Sequence, residues 1–432
     1  MSQITVGDTT AMPDEGPIER EHVKVRSWKL PITLLVMTAL LALLYSLSPR
    51  EGIARFNLAG GPATIQLGQI SVPAATSAWL SIAVLGLLAA FAVWNTLTYR
   101  RTAIWVPIAF AAFGLFGFLA WAGAGGMVPV VTLLAGALSL AVPLVFGGLG
   151  GVIGERVGVV NVAIEGQLLL GAFNAALVSS ITGSPIAGLI GAMFGGVLVA
   201  LVLAAFSIKY LVQQVIVGVV LNVLVLGLTT FLYNILLSPN EAALNNPTRF
   251  STMPIPVLSE IPVIGGILFN QTLIVYLMYV AVVVVTWGLY RSRWGLRLRA
   301  VGEHPQAADT VGIRVNATRF WNVTLAGAIA GAGGAYFTLV SVPRFGENMT
   351  AGLGFIALAT VIFGQWDPIK TALAGLLFGF ASQLQGLLVV LGTPIPSQFM
   401  LMLPYVITIL AVAGFVGTSR APAAAGTPYV KG

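Results

Sequence analysis

A single acid lies deep in the apolar part of this chain, within one step of an amide. Residues 147–177, GGLGGVIGERVGVVNVAIEGQLLLGAFNAAL, set Glu155, Arg156, Asn161, Glu165, Gln167 and Asn174 among small and branched apolar residues. Ionised groups at membrane depth are costly and persist where they pair or line a wet cavity. Asn161 and Glu165 are four residues apart, which on a continuous helix puts amide and carboxyl on one face. Such a face would hydrogen-bond a small polar solute. The competing reading is a carboxyl bonded to Asn161 or to a neighbouring span, holding a helix break that the preceding glycines tolerate. Glu155 and Arg156 read as a helix end at the rim. Asn222, preceded by Gln213 and Gln214, gives a second polar position that either faces a pathway or bonds across helices. Gln383 and Gln385 are two apart and point to different faces, while Trp366 and Asp367 near Lys370 read as an interfacial turn.

A different chemistry is written in residues 291–319, a polar island with six arginines between apolar runs. At its centre, Pro305 suits a first helical position, Gln306 to Val311 can continue it, and Gly312 supplies a left-handed stop. A helix this short is unstable alone and needs a surface. It is the segment best suited to meet another protein.

Absent chemistry narrows the field. There is no G-x-x-x-x-G-K-[ST] loop, no G-x-S-x-G and no H-E-x-x-H, so the chain carries no nucleotide or hydrolase motif of its own and does not read as an enzyme. With no cysteine and two histidines, His22 and His304, both in polar segments, no metal site is expected. Glu165 is the only deep acid, which argues against a proton-driven carrier.

These residues must be positioned by membrane-spanning helices. Of 432 residues, 57% are hydrophobic and 8% charged, against roughly 25% charged in soluble domains. Spans need about 20 mostly apolar residues. Twelve segments qualify: 30–47, 77–97, 103–122, 129–153, 158–182, 185–207, 211–236, 269–290, 320–341, 351–365, 370–391 and 398–417. The 351–365 run is short and Gly-bounded, and reads as re-entrant or tilted. With the N-terminus inside, seventeen of the 21 lysines and arginines fall on inside segments. The reading is therefore an all-α polytopic membrane protein with both termini cytoplasmic. The net charge of +7 speaks for orientation, not for nucleic acid. The first apolar run lacks a cleavage site and reads as a retained span. Gly191 with Gly195, Gly327 with Gly331, and Gly375 with Gly379 have the spacing that lets helices approach closely in lipid.

Three ordered motifs add a family likeness. IGERVGVVNVAIEGQLLLGAF, GLRLRAVGEHPQAADTVGI and RFGENMTAGLGFIALATVIFGQWDPIKTALAGLLFGF resemble the permease subunits of bacterial ABC importers of simple sugars and nucleosides, from about residue 126 to 414. Ribose-type relatives usually carry a G-x-D-L-S-like segment where this chain has VNVAIEG, residues 160–166. The third motif is closer to one of the two unlike permeases that nucleoside importers pair together.

The resemblance implies a ten-helix importer core preceded by two extra N-terminal helices, about twelve in all. It divides the chain into a cytoplasmic segment 1–29, a region 30–125 holding the extra spans, the outside loop 48–76 and the first core span, a core 126–417 with a coupling loop 291–319, and a tail 418–432. His304, Pro305, Gln306, Ala307, Ala308, Asp309, Thr310, Val311 and Gly312 fall where such permeases couple to an ATPase. Pathway candidates are Asn161, Glu165 and Asn222, with Phe173, Phe355 and Phe363 as ring-stacking walls. The implied partners are ABC ATPase subunits carrying the ATP and magnesium, a second and unlike permease, an extracytoplasmic substrate-binding protein and the bilayer of a bacterial cytoplasmic membrane. This chain holds no cofactor. The reading competes with an ATP-independent carrier or facilitator, a docking scaffold that moves nothing, and a branched-chain amino acid permease.

Overall fold

The computed structural model describes residues 27–60, 67–393, 396, 398–400, 402 and 420–431. The described chain begins with α1 (Lys29–Leu47), β1 (Ile53–Asn57), β2 (Gln69–Pro73), α2 (Ala74–Leu97), α3 (Trp105–Ala122), β3 (Met127–Pro129) and α4 (Val130–Arg156). It continues through α5 (Ile164–Thr182), α6 (Pro185–Ala204), α7 (Gln214–Leu232), α8 (Glu241–Leu244), β4 (Thr252–Pro254), α9 (Ile264–Leu268) and β5 (Asn270–Thr272). It closes with α10 (Leu273–Arg291), α11 (Arg293–Glu303), α12 (Pro305–Thr310), α13 (Val315–Tyr336), α14 (Leu353–Phe363) and α15 (Pro368–Val390). Wider π turns extend α6, α7 and α13 by five residues each. Among the described residues, ten helices are long and apolar enough to cross a membrane. The expected span 398–417 lies almost wholly outside the described residues.

Local sequence accounts for many of the boundaries. Ser184 accepts from Ala187 N–H ahead of Pro185, and Asp367 accepts from Lys370 N–H ahead of Pro368, so α6 and α15 each start with a side-chain cap and a proline at the first turn. Ser292 caps α11 through Gly295 N–H at 3.1 Å.

Two clusters of contacts fix which helix ends lie together. At one end, β1 pairs antiparallel with β2 and parallel with β3, joining the end of α1, the start of α2, the end of α3 and the start of α4. Arg50 donates to the Ala122 carbonyl (2.6 Å) and the Trp121 indole to that of Ser48 (2.8 Å). Further along that end, Asn245 bonds both ways with the Phe345 backbone, and Arg344 pairs with Glu241 at 3.1 Å. At the opposite end Arg156, α11 and the start of α15 converge. These groupings part the helix ends into the same two sets that the charge count separates.

The centre is packed on small residues. A Cβ on Gly196 would fall 2.0 Å from the Gly327 carbonyl, and one on Gly331 would lie 2.4 Å from that of Ala192, so α6 and α13 touch backbone to backbone. Gly191 and Gly195 do the same for α6 against α5, and Gly375 and Gly379 for α15 against α4. All three glycine pairs are helix contacts, the packing that lipid favours when no hydrophobic difference drives association. α5 and α13 are the most buried spans and α1 the least.

Candidate functional site: two helices that begin inside the bundle

The run 158–182 is not one helix. α4 ends at Arg156, Gly158 turns the chain at φ +92°, and α5 starts only at Ile164. Ile164 lies against Gly147, near the middle of α4 (3.0 Å to an added Cβ). The chain has therefore run back alongside α4 before α5 begins. The freed backbone groups are met from elsewhere. Gln214 Oε1 accepts from Val160 N–H at 2.7 Å; Asn222 accepts from Gly166 N–H and donates to the Val162 carbonyl, both at 2.9 Å. Irregular backbone at such depth survives only where protein supplies these partners.

The shared Asn161–Glu165 face is overturned by this break. Asn161 lies outside the helix and is fully buried, and its amide exchanges two hydrogen bonds with that of Gln167 (3.0 and 3.3 Å). Glu165, in the first turn of α5, looks the other way. One carboxylate oxygen accepts from Thr350 Oγ1 at 2.6 Å and Gly352 N–H at 2.8 Å, the other from Gly354 N–H at 2.6 Å.

Those donors open α14. Its 11 residues span only about 16 Å. Residues 342–352 reach the helix as irregular chain from the end of α13, with Asn348 at φ +51°, Ala351 at +45° and Gly352 at +85°. α14 then runs beside the second half of α4, with Ala357 at Gly147 and Val361 at Gly151. Gly354 is required here, because a Cβ would sit 2.4 Å from the Glu165 backbone nitrogen. The short run is thus a half-helix completed by irregular chain. α5 and α14 begin side by side in mid-bundle, with one carboxylate at the positive end of α14.

The three phenylalanines separate. Phe355 is half-exposed, Phe173 is buried edge-on against Phe345 (5.2 Å), and Phe363 is partly buried against Phe378 (6.5 Å). Of the aromatic candidates, Phe355 stands nearest the break and is the open one. Trp366 is not at an open interface as expected; it is buried, its indole donating to Glu155 while its carbonyl takes Arg156 Nε at 3.0 Å.

At the end opposite the β1–β2–β3 sheet the island folds as two helices. α12 has Pro305 at its first turn, Thr310 as its last residue, and Gly312 at φ +85°. Gln306, Ala307 and Val311 face out, whereas Ala308 is buried against the body. The island is seated on α4 where Gly302 meets the Arg156 carbonyl, 2.0 Å from an added Cβ.

What braces it was missed by reading the chain locally. The tail 420–431 lies across this junction. Ala424 N–H donates to the Gly302 carbonyl (2.9 Å) and Ala423 N–H to Glu303 (3.2 Å), and the Tyr429 hydroxyl lies by the Asp309 carboxylate. Arg319, fully buried, donates to the Thr427 carbonyl at 2.8 Å and leaves its remaining donors unpaired. The signal for this strap in the sequence was Arg319 itself, the last charge of the island, which the structure sets one turn inside α13.

A family model described as the permease component of the branched-chain amino acid transport system matches residues 133–412. The chain belongs to this permease family. The match begins in α4 and leaves α1, α2 and α3 ahead of it. Among characterised relatives, the guanosine ABC transporter permease protein NupQ of Bacillus subtilis is 39% identical over 316 residues, 71% of this chain and 99% of that protein. The nucleoside ABC transporter permease protein NupC of Lactococcus lactis is 38% identical over 315 residues, 69% and 96% of the two chains. A second guanosine permease of Bacillus subtilis, NupP, is 26% identical over 243 residues, 55% and 69%. No solved structure matches the chain significantly. As a member of this permease family with ten spanning helices among its described residues, the protein is a multi-pass transport component of the bacterial cell membrane.

Proposed function

We propose that this permease is one membrane subunit of an ATP-driven importer that takes up nucleosides. The observation that carries the reading is the near full-length match to a guanosine permease, falling on a bundle in which two helices start side by side at mid-depth. Discontinuous helices at that level are a recurring way to build a solute site. The proposed pathway runs beside the break, past the open face of Phe355, which offers a ring for a base to stack on. Neutral amides and backbone groups suit an uncharged polar solute, and among the described residues no arginine clamp waits for an anion. Glu165 and Asn222 serve this pathway indirectly, by holding the two helix starts in register.

α12 presents Gln306, Ala307 and Val311 to a cytoplasmic ATPase that brings ATP and magnesium. Closure of the ATPases moves α11 and α12 as a unit, since both sit on Arg156 and the tail, and the bundle shifts between outward and inward access. Nucleotide and solute drive this only through different affinities for the two states. The partner permease is a second, unlike chain, a reading supported by the unequal match to NupQ and NupP within one organism. An external binding protein delivers the solute.

The test is reconstitution with the ATPase and binding protein, followed by uptake of labelled guanosine, cytidine, ribose and leucine. Saturable nucleoside uptake that stops when ATP is exhausted is the expected outcome. Uptake persisting without ATP would make the chain a facilitator; uptake of leucine alone would move it to amino acid transport.

A further inference from the structure

A groove of ≈ 570 Å3 lies between α11 and the start of α13, beside the coupling helix. Two of its walls are tryptophans. Trp294 packs on Gly288 of α10 (3.1 Å to an added Cβ) and its indole donates to Asn322 Oδ1 of α13 at 2.8 Å, so it bridges the two spans. Trp321 is 67% exposed, and Leu325, one turn further along α13, is also exposed. Arg297 and Arg314 supply the charge. Both are exposed, and among the described residues neither makes an ion pair, the one such pair being Arg344 with Glu241 at the opposite end. No acidic residue is among the described residues that line the groove.

We infer that this groove binds the phosphate of an anionic phospholipid from the inner leaflet, seated between Arg297 and Arg314 with its acyl chain along Trp321 and Leu325. Three features select a lipid. The exposed apolar strip runs from the groove directly onto a spanning helix, where a soluble protein segment would have to enter hydrocarbon. Tryptophans mark headgroup depth. Basic pockets between spans on the cytoplasmic side collect anionic headgroups, because the inner leaflet carries the negative surface potential. The remaining polar wall groups are already used: Asn322 donates to the Thr318 carbonyl, and Thr318 donates to that of Arg314. The arginines alone are free to take a phosphate. Since Val311 and Gly312 form the groove's other rim, the bound headgroup steadies the seat of α12.

The inference rests on the inward orientation of this loop and not on the nucleoside reading. The purified full chain is incubated with phosphatidylglycerol or phosphatidylcholine and the lipids retained are counted by native mass spectrometry. Phosphatidylglycerol is expected to be held preferentially, about fivefold more weakly after Arg297→Gln or Arg314→Gln and about thirtyfold after both, at the worth of a basic residue near an anionic surface. The double lysine variant should restore most of the binding. A photoreactive phosphatidylglycerol should label peptides of α11 and α13 in the unaltered chain, so the result does not depend on the variants folding. Equal retention of both lipids, unchanged retention by the double glutamine variant, or displacement by inorganic phosphate alone would overturn the inference. So would cross-linking of the groove to the ATPase in place of lipid. Orientation is checked separately by Arg297→Cys, the sole cysteine in this chain, which should react only from the inner side.

Discussion

Replacing Glu165 by glutamine tests whether the deep carboxylate holds the fold or meets the solute. The carboxylate takes three donors, Thr350 Oγ1 and the N–H groups of Gly352 and Gly354. A glutamine can keep its oxygen on Thr350 and Gly352, but its amide nitrogen then faces the Gly354 N–H. One hydrogen bond to a charged acceptor is lost, at about 1.5–3 kcal/mol, and one buried donor is left unmet, at about 1–3 kcal/mol. The ion's desolvation cost is relieved in return, so a net loss of about 3 kcal/mol is expected, felt at the start of α14. In detergent the purified protein should unfold a few degrees lower, with transport falling in parallel. A cycle with Thr350→Val separates coupling from general damage. Thr350 is fully buried and valine matches its shape, so its hydroxyl matters only through Glu165. The two effects should fall short of additive by at least about 1 kcal/mol. Strict additivity, or full thermal stability of Glu165→Gln with transport abolished, would refute the structural role and return the carboxylate to the solute.

Two further outcomes follow from the geometry. Ala307→Glu, on the open side of α12, should reduce the ATPase retained on purification at least tenfold with membrane insertion unchanged, whereas a charge at buried Ala308 should also destabilise the island; full ATPase retention by the Ala307 variant would remove this face from the interface. Gly302→Ala forces a methyl to 2.0 Å from the Arg156 carbonyl, so α11 must lift off α4; a thermal loss corresponding to about 1–3 kcal/mol is expected, and an unperturbed melting curve would show that the contact is loose.

Much was legible in the chain because it is governed by near neighbours. Length and apolarity mark the spans, since a helix must satisfy its own backbone in lipid. Pro305 and Gly312 bound α12 through torsional preferences that act on single residues. Glycines four apart mark close helix contacts. Arginine and lysine placement separated the two ends of the bundle, in agreement with the β1–β2–β3 sheet at one of them.

What the sequence could not settle depends on groups brought together from far along the chain. Asn161 and Glu165 read as one face only on an unbroken helix, and whether the helix is unbroken was decided by Gln214 and Asn222, 54 to 60 residues away, whose amides meet the freed backbone. Glu165 found its donors 185 to 189 residues on, and the island its brace in the tail more than 100 residues beyond. A local pattern records what a residue prefers, and it fixes elements whose hydrogen bonds close within themselves. Where the backbone leaves that pattern inside a membrane, only packing from other elements can satisfy it, and so the tertiary structure alone decided where α5 and α14 begin.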